Sequence, residues 1–338
     1  MYRVAASIAL SAVLAAACGT GGADLAVEEP TPSLFDDAEV IVVESTTTRP
    51  PAVGVEQLAG ADLPAPRTPV AGAVVVDGIA LAVDEVTATG WFAASPCGAV
   101  VSGESEPVTA LVAIDPAGDA RVESHGAVVP ELNHTIATIL ASELEAVGVS
   151  TIVTRAGDDD VVASVRSAAA DASGARVVVS IAIADGGGTL VDAPPLEVVH
   201  PAADADGRRL AGLIHQSLVP VLLDLPGAWT ASVDPGVRSV LNQRGSDFFT
   251  MLREGDDQAR VVVHLPALTG DTVDLFRSPV TTVNMGQALA DAIARHLLTD
   301  EEGDGFVTPG DVVRHAPTAS GDACVEPLAV GDTGDGAG

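Results

Sequence analysis

Residues 111–153, LVAIDPAGDARVESHGAVVPELNHTIATILASELEAVGVSTIV, decide the fold. Leu111 to Ile114 is a short apolar run halted at Asp115-Pro116, the pattern of a strand buried on both faces. From residue 131 to 147 apolar side chains return at helical spacing, and Gly148 stops the helix. Val149 to Val153 reads as a second strand. Strand, helix, strand is the unit of a parallel sheet. The alternation continues with a helix over 159–173 and strands at Val177 to Ile183 and Leu196 to Val199. A helix over 206–223, a strand at Val261 to Leu265 and a helix over 281–298 complete it. The expectation is a single α/β domain over 108–300, with a largely parallel sheet flanked by helices.

Upstream, AVVVDGIALAV (73–83) alternates and pauses at Asp77-Gly78, a hairpin signal. Together with GWFAASPCGAVVSGESEPV (90–108) it predicts a short β-rich segment over 72–107. Residues 19–71 are rich in Pro, Thr, Gly and acidic side chains, which reads as a linker, with one short apolar stretch at Val40 to Val43. Residues 301–338 form a Gly- and Asp-rich tail, expected to lack structure except near Cys324.

The first 18 residues, MYRVAASIALSAVLAAAC, have a positive start at Arg3, an apolar stretch too short to span a bilayer, and small residues before Cys18. This is a signal peptide, and the cysteine resembles that of a bacterial lipobox. Cys18 is then a lipidation site, or the free first cysteine after ordinary cleavage. The expected location is the outer face of the cytoplasmic membrane, with a lipid anchor as the membrane contact. With Cys18 lipidated, Cys97 and Cys324 remain as a pair in an oxidising compartment and are expected to form a disulfide.

Charge narrows the partners. The chain has 47 acidic and 16 basic residues, all of the latter arginine, for a formal net charge of -31. Nucleic acids and anionic lipid surfaces are excluded as partners, because both need a cationic face. Gly186-Gly187-Gly188 is a turn rather than a phosphate-binding loop, and the nucleophile-elbow pattern is missing from the sequence.

LVAIDPAGD (111–119), the helix and strand of 131–155, the helix carrying Arg166 and VVVSIAIAD (177–185) stand in a telling order. PPLEVVH (194–200), RRLAGLI (208–214), GSDFFTMLR (245–253) and VVVHLPAL (261–268) follow. In this order and spacing, residues 96–309 resemble the zinc-dependent N-acetylmuramoyl-L-alanine amidases of the amidase_3 type. SPCG (95–98) and GDGFVTP (303–309) are similar to exported actinobacterial members. The resemblance implies hydrolysis of the bond between muramic acid and the stem peptide.

It also implies where the chemistry should sit, and there the sequence departs from it. The family histidine after Asp-Pro-Gly falls on Gly118, the glutamate before the helix on Val129, and the histidine of Ser-Ile-His on Ala182. The family catalytic glutamate falls on His264. Zinc takes nitrogen, sulfur or carboxylate donors, and Gly, Val and Ala have none. Without the metal, water keeps a pKa near that of bulk. No cofactor is therefore expected, unless a metal site has been rebuilt from Asp119, His125, Glu131 and His264. The candidate groove residues are Asp115, Asp119, His125, Glu131, Asn133, Ser180, Asp185, Glu197 and His264.

Blander roles compete for the remaining residues. Glu131 complements a helix dipole. Arg155 and Arg166 are structural, pairing with acids such as Asp158 to Asp160. His134, His200, His215, His296 and His315 are solvated or satisfied polar residues, and Trp91 and Trp229 are core or platform.

Three functions stay open. The first is an inactive amidase homologue that binds peptidoglycan fragments or regulates a cell-wall hydrolase or another envelope protein. The second is an active amidase with a relocated zinc. The third is an envelope scaffold.

Overall fold

The computed structural model describes residues 54–68, 71–118, 123–157, 160–184, 189–191, 193–227, 229–231, 235–253, 255, 257–270, 272–307, 312–314 and 326–328. The signal peptide with Cys18, and Asp119, Asp185, His315 and Cys324, lie outside them. No helix among the described residues is long and apolar enough to cross a membrane.

The N-terminal strands β1 (Ala73–Val76), β2 (Ile79–Thr87), β3 (Gly90–Ala94) and β4 (Val100–Gly103) form an antiparallel meander. Its first turn is Asp77-Gly78, with both φ angles positive at 48° and 82°. That is the geometry a two-residue hairpin of matching twist demands, and it is why glycine stands second.

The main sheet combines β5 (Val112–Pro116), β8 (Thr151–Val153), β9 (Val177–Ile183), β11 (Glu197–Val199), β13 (Gly236–Arg238) and β15 (Ala259–Leu265). Its order is β13-β11-β15-β9-β5-β8. All neighbours run parallel except β11 and β15. The sheet is thus largely parallel, as the alternation predicts, with one antiparallel seam. Every side chain of β5 is buried, which explains its unbroken apolar run.

The helices are α1 (Val129–Ala146), α2 (Ala163–Ala172), α3 (Ala205–Leu223), α4 (Val273–Arg277) and α5 (Pro279–Leu298). One face of the sheet, with Val112, Ile114, Val179, Ile181, Val261 and Val263, meets α1 and α3, and α5 packs across both. Ile136, Leu140 and Leu144 of α1 are fully buried, each stabilising the domain by about 1.5–3 kcal/mol. The opposite face, with Ala113, Val178, Val199 and Val262, meets α2 and the turn Thr250–Leu252. Asp204 caps α3 by accepting from the Asp206 and Gly207 amides at 3.0 Å each. Short elements finish the fold: the hairpin β6 (Glu123–Ser124) and β7 (Ala127–Val128), the pair β10 (Thr189–Val191) and β12 (Trp229–Ala231), and the parallel pair β14 (Val240–Asn242) and β16 (Val312–Arg314).

Two boundaries move. Residues 54–68, expected as linker, are strapped onto the domain. Leu58 is buried in the core, the Val55 amide donates to Asp291 Oδ1 at 2.8 Å, and Arg176 Nε donates to the Ala65 carbonyl at 2.6 Å. The segment forms a short 3-10 helix over Val55–Leu58 that carries the buried leucine, and its proline-rich remainder docks through a backbone carbonyl. The tail after 300 is likewise not free in its described parts. Phe306 packs against the core beneath the Arg208 guanidinium, at 3.8 Å, and β16 pairs with β14. Cys97 is disulfide-bonded, and its partner lies outside the described residues. Glu326, two residues beyond Cys324, accepts hydrogen bonds from Ser95 Oγ and, at 3.3 Å, from the Cys97 amide.

Candidate functional site

The carboxyl ends of β5, β9 and β15 lie side by side, with Pro116 opposite Ile181 and Ala182 opposite His264. The antiparallel seam then sets Glu197 opposite His264. Because side chains alternate along a strand, Asp115, Ser180, Ala182, His264 and Glu197 share one face.

At the three positions that the resemblance assigns to zinc, no side chain can ligate a metal. Gly118 has a φ of 125°, a conformation that L side chains rarely adopt. A Cβ added there would stand 3.1 Å from Arg155 Nη2 and 3.2 Å from Pro130 Cγ. Val129 opens α1 with its side chain packed against the core, and Ala182 is half-buried. No group of three His, Cys, Asp or Glu close enough to hold a metal occurs among the described residues. Among the described residues, the donor set therefore does not fit zinc.

The loop that would carry the first ligand is nonetheless held firmly. Arg155 donates from Nε to the Pro116 carbonyl at 2.8 Å and from Nη2 to the Ala117 carbonyl at 2.9 Å. Arg166 Nη1 donates to the Gly118 carbonyl at 3.0 Å. Asn133 Nδ2 donates to the Ala117 carbonyl at 2.9 Å, while its Oδ1 accepts from the Ile183 amide at 3.0 Å. That residue ties the end of β5 to the end of β9.

Beneath the loop lies a closed cluster. Asp115 accepts from Arg166 Nε at 2.8 Å, Thr154 Oγ1 at 2.6 Å and Ser180 Oγ at 2.6 Å. Burial pushes its carboxyl up. The Arg166 charge and the hydrogen bonds of Ser180, Thr154 and Arg166 outweigh burial and hold it below the ordinary value. Asp115, Asn133 and Ser180 were expected to line a groove. All three are buried, because their polar atoms are used to join strands and loop. Among the described residues, Arg166 pairs with Asp115, while Asp158 and Asp159 lie outside them.

A second cluster opens to solvent. Glu197 is buried and accepts from His264 Nδ1 at 2.7 Å and from Arg314 Nη2 at 2.7 and 3.0 Å. Arg238 Nε stands 3.8 Å from it. Burial pushes Glu197 up, but the His264 hydrogen bond and charge and the Arg314 guanidinium bring it below its ordinary value. Glu197 accepts from His264 Nδ1, and His264 Nε2 makes no hydrogen bond among the described residues. The Phe249 ring stands edgewise to His264, with centroids 5.0 Å apart.

The other candidates are not gathered here. His125, with φ 49°, is exposed at the tip of the β6–β7 hairpin. Glu131 is exposed in the first turn of α1, where it complements the dipole. Asp119 and Asp185 lie outside the described residues. His200 and His296 are buried, and burial lowers both, His296 to about 3 with help from the Arg209 charge. His215 Nδ1 pairs with Asp304 at 2.9 Å, and both Trp91 and Trp229 are core residues.

Sequence reasoning missed Arg238, Phe249 and Arg314. The available signal for Arg314 was an isolated cation in a tail otherwise dominated by Gly and Asp.

No protein-family model and no curated protein matches the chain. Among solved structures, it is similar to the N-acetylmuramoyl-L-alanine amidase AmiC2 of Nostoc punctiforme, at 22% identity over 56% of this chain and 97% of that one, with a TM-score of 0.45. An N-acetylmuramoyl-L-alanine amidase from Clostridium difficile 630 is 21% identical over 57% and 98%, with a TM-score of 0.46. The amidase Ami1 from Mycobacterium abscessus is 18% identical over 56% and 99%, with a TM-score of 0.44.

Proposed function

We propose that this chain is an exported, lipid-anchored envelope protein that keeps an amidase-type frame without zinc chemistry, and that it binds peptidoglycan fragments, alone or in the service of a cell-wall hydrolase. One observation carries the reading. The three ligand positions hold Gly118, Val129 and Ala182, while the loop around them is still gripped by Arg155, Arg166 and Asn133. A frame maintained around an emptied reaction centre fits recognition better than hydrolysis. His264 Nε2 can accept a proton, but no side chain at these positions would polarise an amide carbonyl as zinc does. The apolar leader ending at Cys18 supports export and anchoring.

The test uses untagged mature protein, residues 19–338. Zinc is measured by elemental analysis after loading and dialysis, and muropeptides are offered for binding and cleavage. Near-zero zinc with muropeptides retained and uncut is the expected result. About one tightly held zinc per chain with cleavage would overturn it in favour of a rebuilt amidase. Neither zinc nor binding would leave the scaffold reading.

A further inference from the structure

Arg314 and His264 meet one carboxylate at the open end of the sheet, and among the described residues each has nitrogens that make no hydrogen bond. Arg314 donates to both Glu197 oxygens, but through the single nitrogen Nη2. The usual grip of a guanidinium on a carboxylate is a fork of two nitrogens. Nη1 and Nε of Arg314 make no hydrogen bond among the described residues, and the side chain is 21% exposed. His264 has committed Nδ1 to Glu197, and Nε2 makes no hydrogen bond among the described residues; its side chain is 16% exposed. Arg238 adds a third positive group at 3.8 Å. The cluster sits in a chain of net charge -31. Beside it, Phe249 offers an apolar wall, with its ring 5.0 Å from the His264 ring and 5.8 Å from the Arg314 guanidinium carbon.

We propose that Arg314, His264 and Phe249, mounted on Glu197, form a binding site for a carboxylate-bearing organic ligand. The unspent fork of Arg314 takes the carboxylate, His264 Nε2 supplies a second polar contact, and Phe249 packs on the adjoining carbons. Glu197 itself is the positioning residue, since it aligns both partners from below the surface. For the natural ligand the proposal rests on the wall-fragment reading above, because a stem peptide is such an acid.

The experiment titrates the mature chain with N-acetylglycine and with its neutral twin N-acetylglycinamide, following His264 ring signals by NMR and heat by calorimetry. The acid is expected to bind saturably and the amide not at all. Arg314→Lys keeps the charge but loses the fork, and is expected to weaken acid binding about tenfold. Arg314→Met is expected to abolish it, with circular dichroism showing that both variants fold. Equal binding of acid and amide, an unchanged affinity in Arg314→Lys, or displacement by chloride as effective as by the acid would each overturn the proposal. Muropeptide binding unaffected by Arg314→Lys sinks this inference and spares the wall-binding reading. Binding of N-acetylglycine without binding of any muropeptide does the reverse.

Discussion

Two carboxylates on the same face of the central sheet are buried, and both are held by arginine, yet they are different objects. Asp115 is closed on all sides: its partners Thr154, Ser180 and Arg166 are themselves buried. Glu197 is just as hidden, but His264 and Arg314, which hold it, reach toward solvent with nitrogens that make no hydrogen bond among the described residues. A buried charge therefore does not mark a site by itself. What distinguishes joint from mount is whether the partners have bonding capacity left over.

The contrast breaks first at Asp115. Asp115→Ala removes the carboxylate that Arg166 Nε, Thr154 and Ser180 all donate to in the buried cluster, and is expected to cost about 3–5 kcal/mol, measured by urea denaturation. A loss under about 1 kcal/mol would show that this cluster is no joint at all. Glu197→Gln should cost less, about 1–3 kcal/mol, because its partners can turn to water. It should also speed amide exchange at residues 312–314, and unchanged protection there would detach the tail from the mount.

Acid sharpens the same comparison. Both carboxylates are more acidic folded than unfolded, so the unfolded chain binds their protons more tightly. Their contribution is complete above the unfolded values and is lost as pH falls through the lower folded ones. Urea midpoints at pH 7 and about 5 should therefore differ little on their account, with the loss setting in below about pH 4. Glu197→Gln should shrink that loss, and a midpoint profile identical to that of the unsubstituted chain would remove Glu197 from the account.

Gly118→His asks whether the joint tolerates a restored ligand. Its φ of 125° and the neighbours Arg155 and Pro130 predict a cost of about 1–3 kcal/mol. No zinc should be gained, and tight zinc in this single variant would show that the loop can be re-formed easily. The smallest effect is expected for an exposed carboxylate. Glu131→Gln should cost about 0.3–1 kcal/mol through the α1 dipole, diminishing with salt.

Much of the scaffold was legible because it is local. Val177 to Ile183 and the α1 pattern carry their periodicity within a few residues, and both stand where the sequence puts them. Helix α2 starts later than expected, at Ala163, since Val161 turns into the core before the helix begins. The candidate site was half legible. The family resemblance pointed to His264, and Glu197 stood among the groove candidates, but their pairing follows from an antiparallel seam that no local pattern announces. Arg314 was hidden by distance and by its Gly- and Asp-rich surroundings, and Leu58 by a proline-rich neighbourhood that reads as linker. Composition reports whether a segment forms its own regular structure. It does not report whether another part of the chain has kept a place for it.

Arg314 reaches Glu197 from 117 residues further along the chain. All six strands of the main sheet are synthesised by residue 265, well before the residue that completes the cationic pair. During synthesis, the sheet and the proposed binding site therefore have separate birthdays. A polypeptide ended at residue 300 would carry the sheet and lack Arg314, which gives a way to time the arrival of binding apart from the arrival of the fold.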